Sequence, residues 1–329
     1  LEMSSWKGRR VLVTGATGLV GSWLVKRLLT LEADVHGLVL DADPDSELIR
    51  SGDIGRITVI NGDLRISTDV SRAVKNSNCE VIFHLGAQTI VGTALNDPMW
   101  TFESNIAGTW NLLEAVRQSD DQVKSVVVAS SDKAYGTSDV LPYLEGFSLH
   151  GEGPYDVSKS CTDLVAQSYG KTYAMPVTVA RCGNIYGGGD LNWSRIVPGT
   201  IRNLIEGTQP VIRSDGKFIR DYVYVLDIVD AYLHLALETE KGQINGEAFN
   251  FSRDEPLSVI NIYTQICKTF NDLYIEPIIL NSAKNEIKDQ HLDSSKAKNI
   301  LGWRSNFTLS QGLIETVNWY KTNLARVSI

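Results

Sequence analysis

The chain has 329 residues, 43% apolar and 21% charged, enough to bury one large core or two fused ones. Its 39 acidic and 31 basic side chains leave a formal charge of -8, which argues against a nucleic-acid footprint or an anionic-membrane surface. Any phosphate must therefore be held locally. Cys79, Cys161, Cys182 and Cys267 are widely spaced without a CxxC pair, which suggests neither a metal site nor a disulfide framework and fits free thiols in a reducing cytoplasm. No basic stretch precedes an apolar core near the first residue, and no run approaches about 18 apolar residues, so neither export nor membrane spanning is expected. Leu1-Glu2 before Met3 reads as a cloning remnant outside the fold.

In chain order, short apolar runs alternate with helical stretches. "RVLVTG" is followed by "LVGSWLVKRLLT", "DVHGLVL", "RITVING" and "EVIFHL". A helix is expected near Pro98 to Arg117, then "KSVVVAS", a helix from about Pro154 to Tyr173, and "VTVAR". This alternation implies βαβ crossovers and a Rossmann-type, doubly wound parallel sheet covered on both faces. The order breaks after Arg181, where Gly and Pro become denser and helices such as Ser258 to Phe270 and Ser310 to Thr322 are joined by polar loops. The expected division is a dinucleotide-binding domain over residues 3–182, with a return segment near 221–251, and a smaller mixed α/β substrate lobe over 183–329. A cleft between lobes is the default ligand site.

"VTGATGLVG" sets Gly15, Gly18 and Gly21 between the first strand and the first helix. Glycines there permit a tight turn and close approach of backbone to a pyrophosphate, which the helix N-terminus favours. Thr17, Leu19 and Val20 belong to the same turn. The second strand should end at Leu40-Asp41, where a carboxylate can accept both ribose hydroxyls and repel a 2′-phosphate, favouring NAD over NADP. A helix cap or turn aspartate is the structural alternative. Asp63, with Leu64, closes the third strand and is a candidate for the adenine; a turn aspartate would look the same. Leu85 and Ala87 follow the fourth strand and complete the candidate cofactor set.

"ASSDKAYG" ends the fifth strand with a hydroxyl, a carboxylate and an ammonium at Ser131, Asp132 and Lys133. Strand ends of this kind face the ligand crevice of an open α/β sheet. "PYDVSK" places Tyr155 and Lys159 at i and i+4 on one helix face, where an ammonium near a phenol would lower its pKa from about 10 and make a general base. A surface pair, or an ion pair between Asp132 and Lys133 without chemical work, is the plainer reading of each.

Together these residues resemble the extended short-chain dehydrogenase/reductase family over Arg9 to Trp319, with "FHLGAQ", "SNIAGTWNLLEA" and "RCGNIYGGGD" as further similar segments. The resemblance implies NAD-dependent chemistry on a nucleotide-diphosphate sugar. Ser131 would bond the sugar O4, Tyr155 would take its proton, and Lys159 would also hold the nicotinamide ribose. Asn105 and Asn184 match positions lining the cofactor and substrate sites, though amides fixing loops would serve equally. Arg195 and Arg220 match positions that clamp the diphosphate, to which guanidinium forks are suited. His84 and Cys161 read as packed residues.

The pair after the serine narrows the resemblance. Sugar 4,6-dehydratases carry an acid-base pair there and 4-epimerases do not, and Asp-Lys resembles the CDP-glucose branch, as do "GNIYGGGDLNWSRIVP" and "LDSSKAKNILGW". Ala134, where that branch commonly has Cys, and "GKFIRDYVYVLDI" follow the generic pattern instead. Asp132 would act as acid on the C6 oxygen and Lys133, neutral through burial and proximity to Lys159, as base at C5. A 4-epimerase, a nucleotide-uronate decarboxylase and a non-catalytic NAD-binding regulator stay open. The resemblance also implies a homodimer built on the helices near Pro98 to Arg117 and Pro154 to Tyr173. "TWNLLEAV" and "CTDLVAQSYG" carry apolar residues beyond one sheet-facing stripe.

Overall fold

The structure, a computed structural model, describes residues 3–41, 43–119, 122–271, 273–282 and 286–324. Leu1-Glu2 and Ala42 lie outside the described residues. The short β-branched runs become β1 (Arg10–Thr14), β2 (Asp34–Val39), β3 (Thr58–Asn61), β4 (Val81–His84), β5 (Ser125–Ser131) and β6 (Val177–Cys182). With Ala248–Phe251 they form a seven-stranded sheet ordered Ala248–Phe251, β6, β5, β4, β1, β2, β3. Every pairing in it is parallel. Parallel strands need helical crossovers, which cover both faces and leave the strands apolar throughout.

The pleat divides the core accordingly. Val11, Val13 and Val127 pack on one face against the helices Leu19–Thr30 and Val225–Thr239. Leu12, Val126 and Val128 face the other way, onto Ser67–Ser77 and Gly108–Arg117. The chain reverses its direction of sheet growth between β1 and β4, so their carboxyl ends open a crevice at Thr14 and His84. A third apolar cluster, with Tyr186, Tyr224, Ile262 and Tyr320 at its centre, gathers residues mainly from the C-terminal half of the chain.

The helix Pro154–Tyr173 has the expected bounds. The one expected near Pro98 to Arg117 is interrupted: Pro98–Phe102 and Gly108–Arg117 flank a π-helical turn, Glu103–Ala107. That turn frees the Asn105 carbonyl to accept from the hydroxyls of Thr109 and Thr162 at 2.6 and 2.9 Å. Among the described residues no helix is long and apolar enough to cross a membrane.

Candidate active site

The crevice is built on the glycine turn. Gly15 has φ +68° and sits so close to the β4 end that a Cβ would stand 2.7 Å from the Gly86 Cα. A Cβ on Gly21 would stand 2.0 Å from the Gly15 carbonyl oxygen. Both glycines are required by the protein's own packing. Gly18 is different: its Cβ would meet only the Gly15 oxygen, at 3.4 Å. It is the exposed N-cap of Leu19–Thr30 and offers no side-chain cap, so the first N–H groups of that helix are left without one. This cradle suits a pyrophosphate. Thr17, Leu19 and Val20 beside it are partly exposed.

Thr14 completes the floor. Its Oγ1 accepts from the N–H groups of Leu85 and Gly86 at 3.1 and 3.0 Å and pairs with His84 Nδ1 at 2.9 Å. The other ring nitrogen of His84 meets Thr109 at 3.1 Å, and burial pushes this histidine down to about 3. It is a neutral clip joining β1, β4 and a covering helix. Leu85, Gly86 and Ala87 stay partly exposed at the crevice, and the Leu64 side chain is in close reach of Gly86.

Two expected cofactor contacts are otherwise engaged. The Asp63 carboxylate is gripped by Arg65, with Nε 2.9 Å and Nη2 2.6 Å from Oδ2, and this hydrogen bonding lowers its pKa. The buried Asn105 amide clips the main chain of Gln88, accepting from its N–H at 2.7 Å and donating to its carbonyl at 2.9 Å, and also donates to Ser158. Asn105 therefore fixes the loop after β4, as the loop-fixing alternative has it. Asp41 is exposed, two residues beyond the Val39 end of β2, which closes earlier than expected.

At the far end of β5, Ser131 Oγ donates to Asp132 Oδ1 at 2.9 Å and accepts from the Lys133 N–H at 3.2 Å. The carboxyl thus turns over the serine at the head of a tight 3-10 turn, Asp132–Tyr135. Asp132 is 1% exposed, and its Oδ2 has no hydrogen-bond partner among the described residues. Burial raises its pKa, against pulls from Lys133, Ser131 and Arg220. A neutral carboxyl with a free oxygen can donate a proton.

Tyr155 and Lys159 are both buried on the facing helix. Burial pushes the phenol up to about 12; the pull that opposes it comes first from Arg195. The ammonium of Lys159 donates to the Ala129 carbonyl at 2.9 Å and is pushed down to about 8 by burial. The expected lowering of the phenol by Lys159 is thus not found: the opposing pulls come from Arg195 and Ser131, and desolvation exceeds them. The expected cationic surroundings of Lys133 differ too. Lys133 faces the carboxyls of Asp132 and Asp156, drawing both down against burial.

A sequence model described as GDP-mannose 4,6-dehydratase matches residues 12–316. The chain belongs to this family, a branch of the extended short-chain dehydrogenases/reductases. A CDP-glucose 4,6-dehydratase of Salmonella typhimurium is 32% identical across 98% of this chain and 93% of its own. Two solved structures share the whole fold. A dTDP-glucose 4,6-dehydratase of Streptomyces venezuelae, with NAD bound, has a TM-score of 0.84 at 26% identity and covers 96% of this chain and 98% of its own. A UDP-glucose 4-epimerase of Thermotoga maritima, with UDP-glucose, reaches 0.85 at 26% identity and covers 95% of this chain and 99% of its own.

In this dehydratase-family chain the remaining candidates come from the C-terminal half. Arg195 is the N-cap of Ile196–Glu206; its Nη1 holds Asp190 Oδ2 at 3.0 Å while its charge acts on Tyr155. Arg220 is anchored on the main chain through one of its nitrogens. Its Nη1 donates to the carbonyls of Ile219 and Lys288 at 2.8 and 2.9 Å, and the side chain is buried. Asn184, partly exposed, pairs in register with Tyr222. Sequence reasoning missed Thr14, Asp156 and Asp221. Asp221 is 1% exposed, its Oδ1 has no hydrogen-bond partner among the described residues, and burial pushes it up to about 7. Only Thr14, at the last position of β1 before the glycines, carried a local signal.

Proposed function

We propose that the protein is an NAD-dependent 4,6-dehydratase of a nucleotide-diphosphate hexose, with CDP-glucose as substrate. The observation that carries this reading is the Asp132-Lys133 pair, placed directly after Ser131 on a buried turn opposite Tyr155. The exposed Gly18 and the start of Leu19–Thr30, which has no side-chain cap, fit a dinucleotide: the turn of Gly15, Gly18 and Gly21 would hold the pyrophosphate and Asp41 a ribose, with Leu85 beside the cofactor. When bound, NAD supplies a two-electron acceptor for C4 that is restored at C6, so it is not consumed. Lys159 would hold the nicotinamide ribose.

The residues divide the proton work. Ser131 orients the sugar O4 hydroxyl and Tyr155 removes its proton as C4 becomes a ketone. The ketone acidifies the C5 proton, which Lys133 removes. Asp132, whose pKa burial raises, gives its proton to the C6 hydroxyl, which leaves as water. Arg195, whose charge acts on Tyr155, would hold the diphosphate. Support for CDP-glucose comes from the Asp-Lys pair and from the Salmonella relative.

The enzyme works as a homodimer in the cytoplasm. An apolar groove of about 360 Å³ runs beside Met99, Phe102, Ile106, Trp110 and Val157, on the helices expected to pair. Turnover of CDP-glucose in deuterated water tests the reading: a 4-keto-6-deoxy product labelled at C5 is expected. An epimer that keeps its C6 hydroxyl would overturn it in favour of a 4-epimerase, the activity in the name of the Thermotoga neighbour.

A further inference from the structure

Arg181 and Asp163 form an ion pair buried to 2% and 0% exposure directly behind the catalytic groups. The contact is bidentate, Nε to Oδ2 at 2.8 Å and Nη2 to Oδ1 at 2.9 Å. A buried pair of this kind roughly breaks even against apolar side chains of the same size, so its net stabilisation does not account for it. Its connections do. Asp163 lies on the helix Pro154–Tyr173, one and two turns beyond Lys159 and Tyr155 on the same face. Arg181 lies on β6, in register with Ser130.

From there the guanidinium reaches the turn that carries Asp132 and Lys133. Its Nη1 donates to the Tyr135 hydroxyl at 2.7 Å, and its Cζ sits 4.8 Å from the centre of the Tyr135 ring. That hydroxyl donates in turn to Asn250 Oδ1 at 2.7 Å. The opposite constraint is the Tyr143 ring, stacked on Tyr135 at 4.7 Å and 9°. Tyr135 is the last residue of the Asp132–Tyr135 turn, so fixing it fixes where Asp132 and Lys133 stand.

We propose that Arg181 is a positioning residue that sets the distance between the helix bearing Tyr155 and Lys159 and the turn bearing Asp132 and Lys133. It acts through Asp163 on one side and Tyr135 on the other. Resting on the dehydratase reading, the proposal divides the reaction: oxidation at C4 depends on Ser131, Tyr155 and Lys159, whereas elimination also needs the turn in register with them. Loosening the strut slows elimination selectively.

Tyr135→Phe removes the hydroxyl and keeps the stacked ring; Arg181→Lys keeps the charge and removes the fork. Each is loaded with NAD and mixed with CDP-glucose in a single turnover. Reduced nicotinamide should form within about twofold of the parent rate, while water loss slows by roughly tenfold or more, the size expected for a displaced proton-transfer group. Equal slowing of both steps, or no slowing of either, overturns the proposal. Hydrogen exchange by mass spectrometry separates this from failure of the dehydratase reading. Without any substrate, both variants should exchange faster over residues 132–150 than the parent, with β4 and β5 unchanged. Parent-like protection over 132–150 overturns the strut whatever the reaction proves to be.

Discussion

The ammonium of Lys159 donates to the carbonyl of Ala129 at 2.9 Å, two residues before Ser131 on the same strand. The charge that serves the site is thus stored against a main-chain dipole in a buried place, and burial lowers its pKa from 10.5 to about 8. The unfolded chain holds this proton more tightly than the fold does. The cost of the buried ammonium is therefore fully present below about pH 8 and disappears as pH rises to 10.5. Lys159→Met should be more stable than the parent at neutral pH, and the difference should shrink across that alkaline window. Urea midpoints measured against pH check this; a difference that does not change with pH would contradict it.

Tyr155, pushed up to about 12, carries its proton at neutral pH. Below that pKa its ionised fraction rises tenfold per pH unit, so the rate of C4 oxidation should climb between about pH 6 and pH 9. Tyr155→Phe should lower that rate by roughly 100 to 10,000-fold and flatten the profile. Rapid-mixing absorbance of the reduced nicotinamide reads both. A flat parent profile would mean that Tyr155 is not the group losing its proton.

Gly18 and Gly21 should respond differently to an added methyl. At Gly21 it would stand 2.0 Å from a backbone oxygen, so Gly21→Ala should lose about 3 kcal/mol or more of stability, as overpacked sites do. At Gly18 the neighbour is at 3.4 Å, ordinary contact, so Gly18→Ala should fold with nearly parental stability and bind NAD more weakly. Denaturant melts and calorimetric NAD titration distinguish the two. Parental NAD affinity in Gly18→Ala would remove that glycine from the cofactor cradle.

Asp132 and Lys133 are separable as acid and base. Lys133→Met should oxidise C4 but neither exchange the C5 proton nor lose water. Asp132→Asn should also fail to lose water, with slowing on the order of 100 to 10,000-fold, yet retain C5 exchange into deuterated water. Mass spectrometry of recovered sugar nucleotide reads the label. Exchange retained in Lys133→Met and lost in Asp132→Asn would reverse the two roles.

The proposed dimer has its own test. Trp110 is 46% exposed and Leu164 54%, on the two helices expected to form a four-helix contact with a second copy. Trp110→Glu with Leu164→Glu should halve the mass seen by sedimentation at micromolar concentration. An unchanged mass would place the interface elsewhere.

The local features of this fold were legible in the sequence because they obey short-range rules. Alternating β-branched runs and helices specify a parallel sheet, a glycine at positive φ marks a turn, and a spacing of four places Tyr155 and Lys159 on one helix face. Ser131 at the end of β5 follows from the same pattern. The tertiary structure decided everything that depends on who comes to stand beside whom. Asn105 is spent on Gln88 and Ser158, 17 and 53 residues away, and the Lys159 ammonium on Ala129, 30 residues away. Burial, not the neighbouring lysine, sets the Tyr155 proton, and Lys133 lies among carboxyls. Arg181 reads in the sequence as the last residue of an ordinary strand; only the packing of that strand's end against a distant helix and turn gives it Asp163 and Tyr135. Helical period and backbone preference act over a few residues and survive in a one-dimensional reading. Desolvation and hydrogen-bond choice are set by atoms brought together across the chain, so they exist only once the core has closed.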